Sequence, residues 1–569
     1  MKPKLSRFEV VALAVLGCVA ALFLEIGWRT FWFLTDDAFI SYRYISNAHL
    51  GYGYVWNPPP FQPVEGYTNF LWIVLLDVTW RLTGVAPPDS ANVISLGLSA
   101  GTLIVASALT LQIPWTHTLR RYRVGFVALV LLCTLGNRSF LAWTSSGLET
   151  ALVNLLVLAW LYWVLSRTPT ATWVLATATI SSLLALTRPD GLLFVVATLG
   201  AIALARTKST NALRLPWTTL PMLAVPAHLL WRKSFYGSWL PNTYYAKTPA
   251  AWPESGIRYA SSFLLEYALW FWAALGAYVL LRCAVRGGDT LQRISSSRTS
   301  RGAVSGGSEL PASSNRAAMI PLLGVVTVVV HIAYYTLIVG GDHFEYRVYS
   351  AYISLIFVSF TWLLNIGQFS LRAGLALFLC FGALTFPIPW THWALSQGRD
   401  TRQETQALFI PVAPHFPDSV GAYLREFDSL QAWLIDHLVC TRHQEHKIAH
   451  QWWADHVIPT REVGKTLQPN LADLPILSLR GGVGTTAWAL PFINILDLHG
   501  LNDRVIGRTP TDPAQTRRMA HSRRPPPGYV EAFAPNVRLG PLKRVVIERR
   551  EEAMTKERIQ AIEKRWQMP

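Results

Sequence analysis

The run FEVVALAVLGCVAALFLEIGW at residues 8–28 decides the fold class, because about 20 apolar residues in one helix match the thickness of a bilayer. A basic start precedes this run, and the polar stretch TDDAFISYR follows it at residues 35–43. No small-residue cleavage site stands before TDDAF, so the run does not fit a removable signal peptide. We predict that it is retained as a first membrane span.

Similar apolar runs recur along the chain as far as residue 390. Of the 569 residues, 51% are hydrophobic and only 15% are charged, whereas soluble domains carry about 25% charged residues. These features predict a polytopic α-helical membrane protein with about 11 spans. The predicted spans are 8–27, 90–113, 123–136, 147–165, 171–187, 191–205, 215–231, 262–282, 318–339, 350–366 and 371–390.

Basic loops predict the orientation of these spans. Arginine and lysine concentrate at 117–123, 205–214 and 282–317, and such loops stay on the cytoplasmic side. The formal charge of +16 therefore reflects topology, and we expect no nucleic-acid partner. The N-terminus is predicted inside and the C-terminus outside. Segment 69–84 is short and contains two charged residues, so it is predicted to be an interfacial, juxtamembrane helix.

Two regions follow from this pattern. Residues 1–390 are predicted to form the membrane domain, with a first extracytoplasmic loop at 28–89 and a disordered cytoplasmic linker, rich in Ser, Gly and Arg, at 283–317. Residues 391–569 lack a spanning run and contain 23 basic against 19 acidic residues. We predict an extracytoplasmic, soluble α+β domain there.

Short apolar runs in this C-terminal region read as strands. They are LPILSL, PFINILDL and VRLGPLKRVVIE. The five cysteines are scattered along the chain, so neither a disulfide framework nor a paired metal-ligand spacing is predicted.

Polar motifs collect at the predicted outer ends of the spans. Charged residues at this depth are usually paired or functional, so five such motifs on one face predict a single cavity at the outer membrane boundary. The motifs are the loop 35–69, NRSFLAWTSSGLET (137–150), TRPDG (187–191), FYGSWLPNTYYAK (235–247) and GGDHFEYRVY (340–349).

These residue types suit transfer from an activated lipid. Asp36 or Asp37 would act as a general base towards an incoming hydroxyl, or would stabilise an oxocarbenium-like centre. A phosphate leaving group needs cations around it. The candidates for that role are Arg43, Arg188, Lys247 and Arg347.

Simpler interpretations remain open for several of these residues. The two acids alone fit solvated loop residues, with Asp37 as the N-cap of the following helix, and Arg43 fits a simple ion-pair partner for them. Arg188 and Asp190 fit a structural ion pair between helix ends. The aromatic residues Trp239, Tyr244 and Tyr245 equally fit an interfacial belt. A divalent cation held by Asp36, Asp37, Asp342 and His343 also remains open, although no tight ligand spacing favours it.

The ordered motifs DDAFISYRY, VEGYTN, SSGLET, TRPDG, YGSWLPNTYYAK and GGDHFEYR together resemble the GT-C class of glycosyltransferases that use polyprenyl-phosphate sugars. The closest resemblance is to the mycobacterial terminal β-(1→2)-arabinofuranosyltransferase family. It covers residues 8–390 and continues weakly through DLHGLNDRVIGR (497–508) and AHSRRPPPGY (520–529).

This resemblance implies a GT-C fold with the catalytic carboxylate in the first loop. It also implies a decaprenyl-phosphate arabinofuranose donor, a cell-envelope glycan acceptor, and a bacterial inner membrane with the active site on the periplasmic side. Asp36 and Asp37 match the family's acidic pair, Glu65 matches its VE element, and Asp342 matches the acid after its Gly-Gly turn. The candidate substrate-binding residues in the motifs are Tyr67, Asn69, Glu149, Asp190, Asn242, Tyr244, Tyr245, Asp342 and His343.

Three alternatives stay open at this point. The first keeps the chemistry but changes the sugar, because EGYTN departs from the mycobacterial pattern. The second is a secondary transporter, which would normally show inverted repeats that this sequence lacks. The third is a glycan-binding scaffold that depends on Trp452, Trp453 or Trp488 and not on the acids. Within the enzyme hypothesis, the C-terminal region binds glycan or forms a lid.

Overall fold

A computed structural model describes residues 5–205, 216–247, 250–298, 312–399, 409–512 and 514–566. Helices dominate the described chain, as the apolar runs predict. The α-helices up to residue 399 are α1 Arg7–Thr30, α2 Asp36–His49, α3 Phe70–Thr83, α4 Pro87–Gln112, α5 His117–Arg120, α6 Arg123–Gly136, α7 Arg138–Ala142, α8 Thr150–Ser166, α9 Ala171–Thr187, α10 Leu192–Ala205, α11 Ala224–Tyr236, α12 Asn242–Lys247, α13 Pro253–Glu266, α14 Leu269–Arg298, α15 Ala312–Ala333, α16 Ile353–Ile366, α17 Leu371–Leu384 and α18 Pro387–Ser396.

Five segments of the described chain are long and apolar enough to cross a membrane, or six if a bent pair counts as one span. The mainly helical class is confirmed, and these apolar helices support a membrane protein by their length and composition, whereas the count of eleven and the GT-C fold stay predictions. The five segments are Arg7–Thr30, Pro87–Gln112, Met319–Val339, Arg347–Ile366 and Leu371–Ser396. Shorter apolar helices cover Arg123–Gly136, Thr150–Ser166, Ala171–Thr187 and Pro189–Ala205.

The first span shows how the sequence builds such a segment. Ser6 and Glu9 form a reciprocal capping box that satisfies the first free N–H groups of α1. Glu9 also pairs with Arg123 of α6, Oε1 to Nε at 2.7 Å. Charged groups therefore fix this end of α1 against its neighbour.

Two predicted spans have different boundaries. The predicted span 215–231 begins as a 3₁₀ helix at Pro216–Leu223 with Pro221 inside it, because proline lacks an N–H for the α-helical ladder. The predicted span 262–282 straddles the break between α13 and α14, which meet at 84°. Ala268 adopts a positive φ of 48° there, and this ends α13.

The predicted linker 283–317 is only partly outside the described chain. Helix α14 continues to Arg298 and α15 begins at Ala312, so the described residues at both ends of the predicted linker are helical. Residues 299–311 lie outside the described residues, as does most of the basic loop 205–214. The predicted juxtamembrane helix is present as α3, and its Asp77 pairs with Arg81, Oδ1 to Nε at 2.9 Å.

The C-terminal region contains helices and two small sheets, and all three strand-like runs are confirmed. Strands β1 and β2 pair in parallel, and β3 and β4 pair antiparallel. Helix α18 crosses the predicted domain boundary at residue 390. The elements are α19 Gly421–Asp436, α20 His443–Trp452, α21 Arg461–Thr466, β1 Ile476–Leu479, α22 Val483–Ala489, β2 Asn494–Asp497, α23 Tyr529–Ala532, β3 Val537–Leu539, β4 Val545–Ile547 and α24 Lys556–Trp566.

Buried charges join this C-terminal region to the membrane domain. Arg442 contacts Glu266 of α13 at 2.7 Å and Glu345 at 3.1 Å. Glu345 also pairs with Arg138 of α7 at 3.1 Å, and both acids are fully buried. Because each carboxylate has a guanidinium partner, the desolvated charges compensate each other. The C-terminal region is thus seated on the membrane domain through a specific ionic network.

Candidate active site

The two adjacent acids begin a helix. Helix α1 ends at Thr30, and Asp36 and Asp37 form the first turn of α2. The N-cap is Thr35, whose hydroxyl accepts from the Ala38 N–H at 3.1 Å. The predicted capping role of Asp37 was therefore wrong. A helix N-terminus favours negative charge, which explains why acids are tolerated here.

The carboxylate of Asp36 is bound by the C-terminal region. Its carboxylate accepts from the Thr485 N–H at 2.7 Å, from the Thr485 hydroxyl at 2.8 Å and from the Gly484 N–H at 3.1 Å. It therefore caps the N-terminus of α22 from another element. A Cβ at Gly484 would lie 2.0 Å from the Asp36 carbonyl oxygen, so only glycine permits this close approach.

Arg43 holds the other end of α22. Its fully buried guanidinium donates to the carbonyls of Ala487 at 3.0 Å, Leu490 at 2.9 Å and Ile493 at 3.0 Å, while Nε donates to the carbonyl of Trp56 at 3.1 Å. These carbonyls at and after the last turn of α22 carry the negative end of its dipole. Arg43 is therefore unavailable to a phosphate group, contrary to the sequence-based expectation.

Asp37 faces a different set of groups. Its carboxylate lies 3.7 Å from the Lys247 ammonium, and about a third of its side chain is exposed, 33% by area. Burial raises its pKa, but Lys247 foremost, then His343 in its protonated form and Arg347, outweigh that effect, so the pKa is lowered overall. Asp37 is thus an ionised carboxylate beside Lys247 and Arg347, and no hydrogen bond to another group of the described residues holds it.

The late loop supplies part of this surrounding. Gly340 and Gly341 have φ of 90° and 92°, and a Cβ on either would lie 2.8 Å from Trp252 or Tyr259. This tight glycine turn leads directly to Asp342. Arg347 donates from Nε to the Asp342 carboxylate at 2.7 Å. The predicted phosphate ligand Arg347 and the predicted substrate ligand Asp342 therefore lie together and form an ion pair.

Arg188 is the centre of a second network. It donates to Glu149 at 2.9 Å, to Tyr335 at 2.7 Å and to Asp190 at 3.1 Å. Glu149 in turn accepts from Asn69 at 3.1 Å. The ion pair between Arg188 and Asp190 that the sequence left open is present. Arg188 and Arg347 both interact electrostatically with Glu149 and Asp342, so the two networks are neighbours.

Glu65 has a separate buried setting. It lies 2.6 Å from Arg232 Nε, and both side chains are buried. Burial raises its pKa to about 7. Tyr67 is buried beside it, and its hydroxyl pairs with that of Tyr236 at 3.1 Å. No hydrogen bond or ion pair joins Glu65 to Asp37 within the part of the chain that the structure describes, so these two predicted catalytic acids are not in contact.

Helix α12 connects the site to the loop at 500–508. Asn242 donates to the carbonyls of Gly500 at 2.8 Å and Asp503 at 2.9 Å. Its amide therefore has a structural role in holding this loop. Tyr245 lies under the Arg508 guanidinium at 4.2 Å. Tyr244 is 41% exposed. Lys247, five residues after Asn242, is the residue of this helix that faces Asp37.

The sequence interpretation did not assign three histidines of the C-terminal region. The imidazole of His446 lies 5.0 Å from that of His343, centre to centre, and that of His521 lies 5.2 Å from it. The ring of His499 lies 4.5 Å from that of His521. The signals available were the tail motifs DLHGLNDRVIGR and AHSRRPPPGY, which contain His499 and His521, and the histidine-rich start of α20.

Within the described ranges, no group of three or more His, Cys, Asp or Glu is arranged to hold a metal ion. The arrangement of Asp36, Asp37, Asp342 and His343 therefore gives no support to the divalent cation that the sequence left open. In comparisons with known proteins, no family model, no curated protein and no solved structure matches the chain.

Proposed function

We propose that this protein is a GT-C-type membrane glycosyltransferase of the bacterial inner membrane, with Asp37 as its catalytic carboxylate. It transfers a sugar from a polyprenyl-phosphate donor to a cell-envelope glycan acceptor on the periplasmic side. The observation that carries the proposal is the position of Asp37, which is partly exposed in the first turn of α2, lies 3.7 Å from the Lys247 ammonium and interacts electrostatically with Arg347.

The cations match the needs of a phosphate leaving group. When the bond between the anomeric carbon and the phosphate oxygen breaks, the electron pair and the negative charge stay on the phosphate. Lys247 and Arg347 lie beside Asp37, and Arg188 lies in the adjacent network. Arginine and lysine stabilise such an oxyanion. Arg43 is not proposed as a phosphate ligand, because its N–H groups donate to backbone carbonyls.

Asp37 supplies the second part of the chemistry. As a general base, it accepts the proton of the acceptor hydroxyl while the hydroxyl oxygen forms the new bond to the anomeric carbon, which inverts the configuration. As a nucleophile or ion-pair stabiliser, it gives retention. Its lowered pKa keeps it ionised at neutral pH for either role. The anomeric configuration of the product distinguishes the two roles.

The ordered motifs favour arabinofuranose as the sugar and decaprenyl phosphate as the lipid. Another polyprenyl-linked sugar fits the same site chemistry. Accordingly, the test uses purified protein in detergent with lipid, synthetic polyprenyl-phosphate arabinofuranose and an arabinofuranosyl acceptor. Mass spectrometry detects the product, and a panel of other polyprenyl-phosphate sugars is run in parallel.

Two neighbouring variants make the test specific. Asp37→Asn removes the ionised carboxylate, and turnover should fall about 10²–10⁴-fold, the usual effect of losing a general base. Asp36→Asn makes the same chemical change one residue away and should retain turnover per folded molecule. Full activity in Asp37→Asn would refute the assignment. No product from wild type with any donor would favour the secondary transporter.

A further inference from the structure

Three imidazoles line one side of Asp37. His343 comes from the late loop of the membrane domain, whereas His446 and His521 come from the C-terminal region. The carboxylate of Asp37 interacts electrostatically with all three. The ring of His446 also packs on Phe344, with centres 4.5 Å apart. The C-terminal region therefore contributes two of the three imidazoles that interact with Asp37.

Backbone carbonyls fix the tautomer of two of these rings. His343 Nδ1 lies 2.7 Å from the carbonyl oxygen of Leu438, and His521 Nδ1 lies 2.7 Å from that of Met519. A carbonyl only accepts hydrogen bonds, so each Nδ1 carries the proton. In a neutral ring, Nε2 then offers a lone pair. Both rings therefore present an acceptor.

The third ring has an unused polar atom. Nε2 of His446 is buried and has no hydrogen-bond partner within the described residues. Burial lowers the pKa of His446 and His343, and lowers that of His521 to about 3. All three rings are therefore neutral near pH 7. A buried polar atom without a partner costs free energy unless a ligand supplies one.

We propose that His446 and His521, together with His343, bind hydroxyl groups of the saccharide acceptor beside Asp37. The Nε2 atoms of His343 and His521 accept hydrogen bonds, so the ligand must donate to them, and a hydroxyl group also pairs with the unpartnered Nε2 of His446 in either tautomer. An ionised phosphate only accepts, so the donor's phosphate belongs on the cationic side with Lys247 and Arg347. A polyhydroxylated acceptor fits the imidazole side. This inference rests on the proposed function, and it makes the C-terminal region a part of the active site.

The test compares substitutions that keep or remove the acceptor atom. His446→Phe and His521→Phe keep a flat ring and lose its polar nitrogens, whereas His446→Gln keeps an amide that both donates and accepts. One neutral hydrogen bond corresponds to about a two- to tenfold change in affinity. We expect each Phe variant to raise the KM for the acceptor by that factor with the donor KM unchanged, and His446→Gln to recover most of the loss.

His456→Phe is the matched control. This histidine lies in the same region, is exposed and stacks on Trp452, so its substitution should change neither KM. Thermal unfolding of each purified variant shows whether the fold is intact. Unchanged acceptor KM in both Phe variants, or an equal rise in the donor KM, would overturn the inference.

A direct binding measurement separates this inference from the proposed function. Saturation-transfer NMR with a soluble arabinofuranosyl disaccharide, and in parallel with other envelope disaccharides, needs no donor and no turnover. If the wild type binds a saccharide and the double variant His446→Phe, His521→Phe does not, the inference holds even where no transfer is detected. If the wild type binds none of them, the inference fails. If transfer occurs and the double variant binds normally, the inference fails and the proposed function stands.

Discussion

Replacing Asp36 tests whether α2 and α22 are joined as the geometry indicates. Asp36→Ala removes the acceptor for two N–H groups and one hydroxyl at the start of α22. Loss of an N-cap acceptor costs about 0.5–2 kcal/mol, and a buried donor left unpaired costs about 1–3 kcal/mol. These terms overlap, so we expect the free energy of opening α22 to fall by about 2–4 kcal/mol.

Hydrogen–deuterium exchange in detergent measures this opening directly, because local unfolding sets the exchange rate of protected amides. Peptides that cover α22 in Asp36→Ala should exchange about 30-fold faster or more. Asp36→Asn keeps one acceptor oxygen, so its effect should be smaller. Global unfolding is a poorer readout, since a large membrane protein does not unfold in one cooperative step.

Asp37→Ala is the matched control, because its carboxylate accepts no hydrogen bond from α22. A second variant, Arg43→Met, removes the donors at the other end of the helix. Asp36 and Arg43 hold the two ends of one seven-residue helix. The double variant Asp36→Ala, Arg43→Met should therefore lower the free energy of opening α22 by less than the sum of the two single effects. Equal exchange of α22 in Asp36→Ala and Asp37→Ala would refute the reasoning.

Three further predictions concern the C-terminal region. Gly484→Ala should prevent the close approach of α22 to α2, because the new Cβ would lie 2.0 Å from the Asp36 carbonyl oxygen. Faster proteolysis of the C-terminal region would show this loss of contact, and an unchanged rate of proteolysis would contradict it. Arg442→Met should weaken the contact between the two regions by about 3–5 kcal/mol, because buried Glu266 loses the guanidinium that pairs with it. Faster hydrogen–deuterium exchange of α20 would show this, and exchange at the wild-type rate would count against the ionic network. Burial raises the pKa of Glu563 to about 7 from 4.5, so protection of α24 should decrease between about pH 4.5 and 7. Exchange of α24 corrected for intrinsic pH effects tests this, and Glu563→Gln should remove the dependence.

The sign of the last effect follows from proton binding. A carboxyl group with a raised pKa binds its proton more tightly in the folded state than in the unfolded state. Between the two pKa values the folded state holds more protons, so the free energy of unfolding decreases as pH rises. The effect is complete above the folded pKa of about 7.

Local patterns predicted much of the fold. The apolar run at 8–28 became α1, and each strand-like run in the C-terminal region contains a strand, because hydrophobic periodicity and β-branched residues act within a short window. The two predicted spans whose boundaries differ, 215–231 and 262–282, contain backbone breaks inside apolar segments. The hydropathy pattern does not predict the bend at residues 267–268, because no proline or glycine marks the end of α13 there.

The candidate site was predictable only in part, for a different reason. Two of the pairs that the motifs contain lie close together in the structure, Asp37 with Lys247 and Asp342 with Arg347. The partners of Arg43 in α22, however, lie more than 440 residues away in sequence. No local sequence pattern indicates such distant contacts. From the sequence alone, a buried arginine that caps a distant helix therefore cannot be distinguished from an arginine that binds a phosphate.

The two adjacent acids illustrate the same point. Successive residues of an α-helix point about 100° apart, so Asp36 and Asp37 face different surroundings although they are neighbours in the chain. Three hydrogen-bond donors of α22 hold one carboxylate, and Lys247 and Arg347 compensate the other. The repulsion between the two carboxylates is therefore offset by hydrogen bonds to Asp36 and by cations around Asp37. One acid fixes the C-terminal region against the membrane domain, and this docking brings His446 and His521 up to the other acid.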